Sequence, residues 1–136
     1  MENEITTNKI RFMFGGNCTF TIQTESTHYS YKIYRKRTDD GAKIWHLYLK
    51  KNGKTIYCGF FKVVGNKLTF KNNTKYDIPA NDPAIITLLN TIKNRNTTDN
   101  VICHAGRCAH CGRILTDPVS IQRGFGPDCW KVIQGK

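Results

Sequence analysis

The chain has 136 residues, 39% hydrophobic and 11% aromatic, with 21 Lys and Arg against 10 Asp and Glu. That length suits one modest core, or a core of ~100 residues with a small appended module, and the apolar content excludes a disordered chain. No apolar run approaches the ~20 residues of a membrane-spanning helix, so no membrane partner is expected.

The opening residues, MENEITTNKI, lack the basic and apolar regions of a secretory signal. The expectation is a protein of the cytoplasm, where clustered cysteines serve as metal ligands rather than disulfide halves. The net charge of +11 is unevenly spread: residues 28–76 hold 12 of the basic residues and, of the acids, only Asp39 and Asp40. A net +10 in that stretch favours a polyanion as partner, with a solvated lysine-rich surface as the plain alternative.

In chain order, residues 9–76 read as β-rich. The candidate strands are Lys9–Phe14, Cys18–Thr24, His28–Lys36, Lys43–Lys50, Lys54–Val63 and Lys67–Lys71. Turn signals separate them at Gly15-Gly16-Asn17, Asp39-Asp40-Gly41, Asn52-Gly53 and Gly65-Asn66. Trp45, Leu47 and Leu49 alternate with Ile44, His46, Tyr48 and Lys50, which places one set on a core face and the other on the opposite face. Short antiparallel strands with small loops predict a meander or a partly closed barrel. Asn81 or Asp82 then caps a helix over Ala84–Arg95, whose Ile85, Leu88, Leu89 and Ile92 form a stripe that packs on the sheet. Asn94–Asn100 reads as a linker. The expected fold is α+β: a β-rich domain with one packed helix over residues 1–97, and a small metal-binding module over residues 98–136.

The C-terminal stretch CHAGRCAHCGRILTDPVSIQRGFGPDC holds four of the six cysteines. Cys108 and Cys111 form a C-x-x-C turn, whose tight loop aims two sulfurs at one point, and Cys129 follows after a Gly-Pro-Asp turn. Tetrahedral zinc takes four ligands. His104 is the favoured fourth, Cys103 the alternative, and His110 lies inside the turn with its ring expected to point away. Cys129 falls at the start of a short helix carrying Trp130, Val132 and Ile133, where the helix dipole favours a thiolate. Ile114, Leu115, Val119 and Ile121 would form a miniature core that depends on metal. A redox C-x-x-C and unligated thiols are the competing readings, although a thioredoxin-type motif would need a βαβ setting that is missing here. Cys18 and Cys58 read as buried strand residues.

These residues resemble a small zinc-ribbon-like domain of unknown function at the C-terminus of many bacteriophage and prophage proteins. The resemblance runs through His104, Gly106-Arg107-Cys108, Cys111-Gly112-Arg113, Leu115-Thr116, Pro118, Ser120-Ile121 and Gly124 through Cys129. It departs at Ala105, where an acid is usual, and at Phe125, where an aliphatic is usual. Upstream, Asn17-Cys18-Thr19-Phe20-Thr21-Ile22 and Tyr31-Lys32-Ile33 resemble the β-rich region that often precedes this domain. The resemblance implies a phage or prophage origin and a zinc site, and no established activity.

For function, the sequence holds no readable nucleophile–base pair, paired carboxylates or phosphate loop, so no catalytic residues are expected and the zinc would be structural. The leading expectation is nucleic-acid binding, single strands above all. Lys32, Tyr34 and Lys36 share one strand face, joined by Tyr48, Lys50 and Lys62 on neighbouring strands, with Tyr57 a further candidate and Arg107, Arg113 and Arg123 extending the surface. The other expectation is a phage protein that binds and modulates an acidic host protein, including a host defence factor.

Overall fold

The computed structural model describes residues 3–73 and 78–134. Lys75, counted in the basic stretch, and the first two and last two residues of the expected domain ranges lie outside them.

The α+β expectation holds in its open form. A seven-stranded antiparallel sheet runs in the order β1-β7-β2-β3-β4-β5-β6. Its strands are β1 (Glu4–Ile5), β2 (Asn17–Gln23), β3 (His28–Arg37), β4 (Lys43–Lys51), β5 (Lys54–Val64), β6 (Lys67–Asn72) and β7 (Val101–His104). From β2 to β6 it is a plain meander, with β1 and β6 at its edges, so the sheet does not close into a barrel. The helices are α1 (Lys9–Met13), α2 (Pro83–Lys93), α3 (Pro118–Arg123) and α4 (Pro127–Gln134).

Strand alternation decides the layering. Phe20 and Ile22 of β2, Tyr31 and Ile33 of β3, and Leu47 and Leu49 of β4 are all buried on one face. There α2 covers them, capped by the Asp82 carboxylate, which accepts from the Ala84 N–H at 2.9 Å. The Tyr31 hydroxyl donates to the Ala84 carbonyl at 2.6 Å and ties the helix to the sheet.

Lys9–Phe14, expected as a strand, is the helix α1. The run Ile10, Phe12, Phe14 suits a strand period, but the helical turn buries Phe12 and Met13 together, which alternation could not. Phe12 sits edge-on to Phe20, with ring centroids 6.4 Å apart.

The expected boundary at 97/98 is not a boundary in packing. β7 lies beyond it, yet pairs with both β1 and β2. One buried cluster also takes in Cys108, Ala109, Leu115 and Phe125 together with Phe12, Phe20 and Ile33.

One glycine fixes the curvature of β5. The β4–β5 register shifts between Leu47 and Tyr48, and Gly59 opposite Leu47 has φ +140°. A Cβ there would lie 2.1 Å from the Lys71 carbonyl oxygen. Gly59→Ala should therefore destabilise the fold by about 2 kcal/mol or more, through left-handed strain and displacement of β6. Chemical denaturation of both proteins measures it; an unchanged midpoint would refute the account.

Candidate functional site

Two features of the fold carry chemistry, and they adjoin. The first is the cysteine cluster. The sulfurs of Cys108, Cys111 and Cys129 lie within 4.8 Å of one another. Tetrahedral thiolates at ~2.3 Å from a metal stand about 3.8 Å apart, so this donor set fits a metal ion with small adjustments.

The chain builds the cluster from a turn and a helix. The Gly112 N–H donates to the Cys108 carbonyl at 2.9 Å, closing the C-x-x-C turn, and the Cys108 N–H donates to the Arg113 carbonyl at 2.8 Å. Gly112 has φ +80°, and a Cβ there would meet the Asn17 side chain at 2.8 Å, so only glycine lets the turn seat on β2. Cys129 comes from the first turn of α4, as expected.

Protonation follows this crowding. Burial works against the Cys108 thiolate, yet backbone hydrogen bonds from Gly126, Cys111 and His110 outweigh it and hold the pKa below the ordinary thiol value. The Cys129 thiol is pushed up to about 12, by burial and by its hydrogen bonds to, and repulsion from, the other two sulfurs. Three sulfurs that cannot all ionise beside one another are the surroundings a divalent cation stabilises. Cys108 is buried, Cys129 half-buried and Cys111 exposed.

The structure does not bring His104 to this cluster. His104 is 5% exposed in β7, on the same side as buried Ile102. Both ring nitrogens are engaged: Nδ1 accepts from the Gly106 N–H at 2.8 Å, and Nε2 lies 2.6 Å from the Ile121 carbonyl. That makes the ring a strut between β7 and α3. Cys103 points to the other side of the same strand, opposite Glu4 and Thr21 in register. Among the described residues the metal-ligand group is the three cysteines. The expected miniature core is also only partial: Leu115 is buried and Ile121 half-buried, but Ile114 and Val119 are exposed. The helix α3 went unread in the sequence, although Asp117 and Pro118 signal it; the Asp117 carboxylate accepts from the Ser120 N–H at 3.0 Å.

His104→Ala should leave metal content unchanged but lower stability by about 2–4 kcal/mol, because the Ile121 carbonyl and the Gly106 N–H lose their partner. Burial holds the His104 pKa below the ordinary histidine value, against the Ile121 hydrogen bond, which raises it. The unfolded chain therefore takes the proton first. Stability from this group is present above about pH 6.5 and declines as the pH falls through that value. Thermal melts across pH, with metal analysis of the variant, test both points; loss of metal from His104→Ala would make His104 a ligand after all.

The second feature is the sheet face away from the helices. On it stand Lys32, Tyr34 and Lys36 of β3, and the register places Lys50, Tyr48 and His46 beside Ser30, Lys32 and Tyr34. Next come Tyr57 and Phe60 of β5, opposite Tyr48 and His46, with Lys62 further along the strand. Lys67 and Lys71 of β6 complete the row. None of these side chains is buried. Among the described residues of the strands six lysines thus share the face, and the one acid on it is Glu4, at the far edge.

The rings form a connected group. Tyr48 and Tyr57 have centroids 5.3 Å apart, and His46 Nδ1 lies 2.8 Å from the Tyr57 hydroxyl. Lys32 Nζ stands 5.7 Å from the centroid of the Tyr34 ring. Burial, then the nearby Lys36, holds the His46 pKa below its ordinary value, so the ring is neutral at pH 7.

The two features meet at Asn17, which pairs with Tyr34 and whose N–H donates to the Ala109 carbonyl at 2.8 Å. Arg107 and Arg113 are exposed on the cysteine loop at this end, and Arg107 donates to the Gly112 carbonyl at 3.1 Å. Lys32, Tyr34, Lys36, Tyr48, Lys50, Tyr57 and Lys62 are therefore on this face and Arg107 and Arg113 on the adjoining loop, whereas Arg123 ends α3 with its guanidinium 4.9 Å from the Trp130 ring centroid. Among the described residues no helix is long and apolar enough to cross a membrane.

Compared with known protein families, residues 103–134 match DUF6011, a family of unknown function. The matched segment contains all three cluster cysteines and the last two residues of β7, Cys103 and His104. No curated protein and no solved structure matches the chain.

Proposed function

We propose that this is a non-catalytic accessory protein of a phage or prophage that binds single-stranded nucleic acid, in the host cytoplasm, with one zinc ion holding its C-terminal loop. The observation that carries the binding reading is the uncovered sheet face. Among the described residues it presents tyrosine, histidine and phenylalanine rings in one connected group, bordered by six lysines, with Glu4 as its acid at the far edge. Lysines neutralise phosphates, and exposed rings stack on unpaired bases, which a duplex would keep stacked on one another. An open sheet face accepts an extended strand more readily than a cylinder.

Zinc is supported by the donor set: soft thiolates in a C-x-x-C turn favour zinc over the harder cations. When bound, the ion would hold the three sulfurs as thiolates and fix the loop that carries Arg107 and Arg113. Phage origin rests on the resemblance of the cysteine segment.

A shift assay with single- and double-stranded DNA and RNA of equal length, across a salt series, tests the reading. Binding should favour single strands and weaken steeply with salt. No binding to any of them at low salt would overturn it, and would leave a host protein as the partner to seek.

A further inference from the structure

The sheet leaves one edge bordered by an apolar groove. Among the described residues β6 pairs with β5 alone. Its exposed Lys67, Thr69 and Lys71 point to the basic face, while Leu68 and Phe70 point to the helix side and are half-buried. On that side a groove of 690 Å³ opens between residues of α2 and the edge strand. Ile10, Phe14, Trp45, Leu68, Phe70 and Leu89 line it, each half-buried against the core. Its charged lining residues are Lys67, Lys93 and Arg95, all cations.

We propose that β6 and this groove take an extended peptide of a partner protein, in which apolar and acidic residues alternate, as an eighth strand of the sheet. Three features select this occupant. An edge strand offers a row of backbone donors and acceptors that an extended peptide can pair with. A strand's side chains alternate between faces, so every second residue of the peptide would fall beside Leu68 and Phe70 in the groove. The residues between would fall beside Lys67 and Lys71, where opposite charge stabilises a cross-strand pair.

The charge also excludes competitors. Lysines on an edge guard it against pairing with neutral or basic strands, and the same lysines admit an acidic one. A second copy of this chain would set Lys67 and Lys71 against their own like. The surface is distinct from the proposed nucleic-acid face except for those two lysines.

The test uses the full chain with Trp130→Phe, which leaves Trp45 in the groove as the one tryptophan of the chain's two. Capped peptides alternating Leu with Glu, and Leu with Lys, are titrated without nucleic acid. The Leu-Glu peptide should give a saturable shift in Trp45 emission and slow amide exchange along β6. Lys67→Glu with Lys71→Glu should weaken it about tenfold or more, with the circular dichroism spectrum unchanged. A proline-substituted Leu-Glu peptide, which lacks the backbone donors, should fail to bind. No shift with the Leu-Glu peptide, equal binding of the Leu-Lys peptide, or dimers of the chain formed through β6 would each overturn the proposal. None of these outcomes bears on the nucleic-acid reading, which is assayed separately.

Discussion

Removing the proposed metal ion is expected to destabilise the whole chain, not to melt a separate C-terminal module. The cysteine loop is built into the sheet's own core. Phe125 packs edge-on against Phe12 with centroids 6.3 Å apart, and the Ala109 N–H donates to the Gly124 carbonyl at 2.8 Å. The Ala109 carbonyl in turn receives the N–H of Asn17, the first residue of β2. Losing the cation returns three crowded sulfurs to competition for protons, with Cys129 held neutral up to about pH 12. The loop then loses its anchor, and strain passes to β7, β1 and α1. A metal held at a thousandfold above its dissociation constant contributes about 4 kcal/mol. For a chain of this length that corresponds to a fall in melting temperature of roughly 10–20 °C. Cys108→Ser or a chelator should give one cooperative transition at the lower temperature, with faster amide exchange over β1, α1, β7 and residues 108–134 than over β3 to β5. Two resolved transitions, the upper one unchanged, would show that the cysteine segment folds independently. An unchanged single transition, with no metal found by elemental analysis, would remove the metal reading.

The meander was legible because its signals are local. Each strand from β2 to β6 has a two-residue period, glycine stands in the turns after β3, β4 and β5, and Asn52-Gly53 closes the β4–β5 hairpin as expected. The same alternation predicted that Lys32, Tyr34, Lys36, Tyr48 and Lys50 share a face, and the register confirms that they do. What sequence missed depends on distant partners. β1 has two residues and β7 four, too short to show a period, and each exists because the other edge is there to pair with. The place of His104 depends on distant partners in the same way. Four residues before a C-x-x-C, His104 looks like a ligand; in β7 it alternates with Ile102 into the core, and its nitrogens serve the backbone. The burial alternation of Val101-Ile102-Cys103-His104 was the available signal, masked by a linker-like run just before it. α1 was lost to an ambiguity that five residues cannot resolve, since only the packing of Phe12 against Phe20 and Phe125 selects the helix.

Replacing Tyr34 or Tyr48 with Ala should weaken single-strand binding by about 1–3 kcal/mol each, roughly 5- to 150-fold, if their rings stack on bases. The two sit on adjacent strands, diagonal to one another across the Lys32–Tyr48 and Tyr34–His46 pairs, so successive bases of one strand can reach both. Tyr34 is 36% exposed and carries no hydrogen bond among those observed for the sheet, so its loss should leave the fold intact. Tyr48 leans on Tyr57, and its variant should show a small stability cost as well. The lysines act differently. Lys32→Gln with Lys36→Gln removes two phosphate contacts, so the dependence of log affinity on log salt should flatten by about 1.4. The tyrosine variants should lower affinity while keeping that slope, because stacking releases no counterions. Lys93→Gln, on α2 across the sheet, should change neither. This separation of slope from intercept is what distinguishes a stacking platform from a merely cationic surface. If every variant moved affinity only through its charge, with the tyrosines silent, the face would be an electrostatic patch and the preference for single strands would have no physical basis.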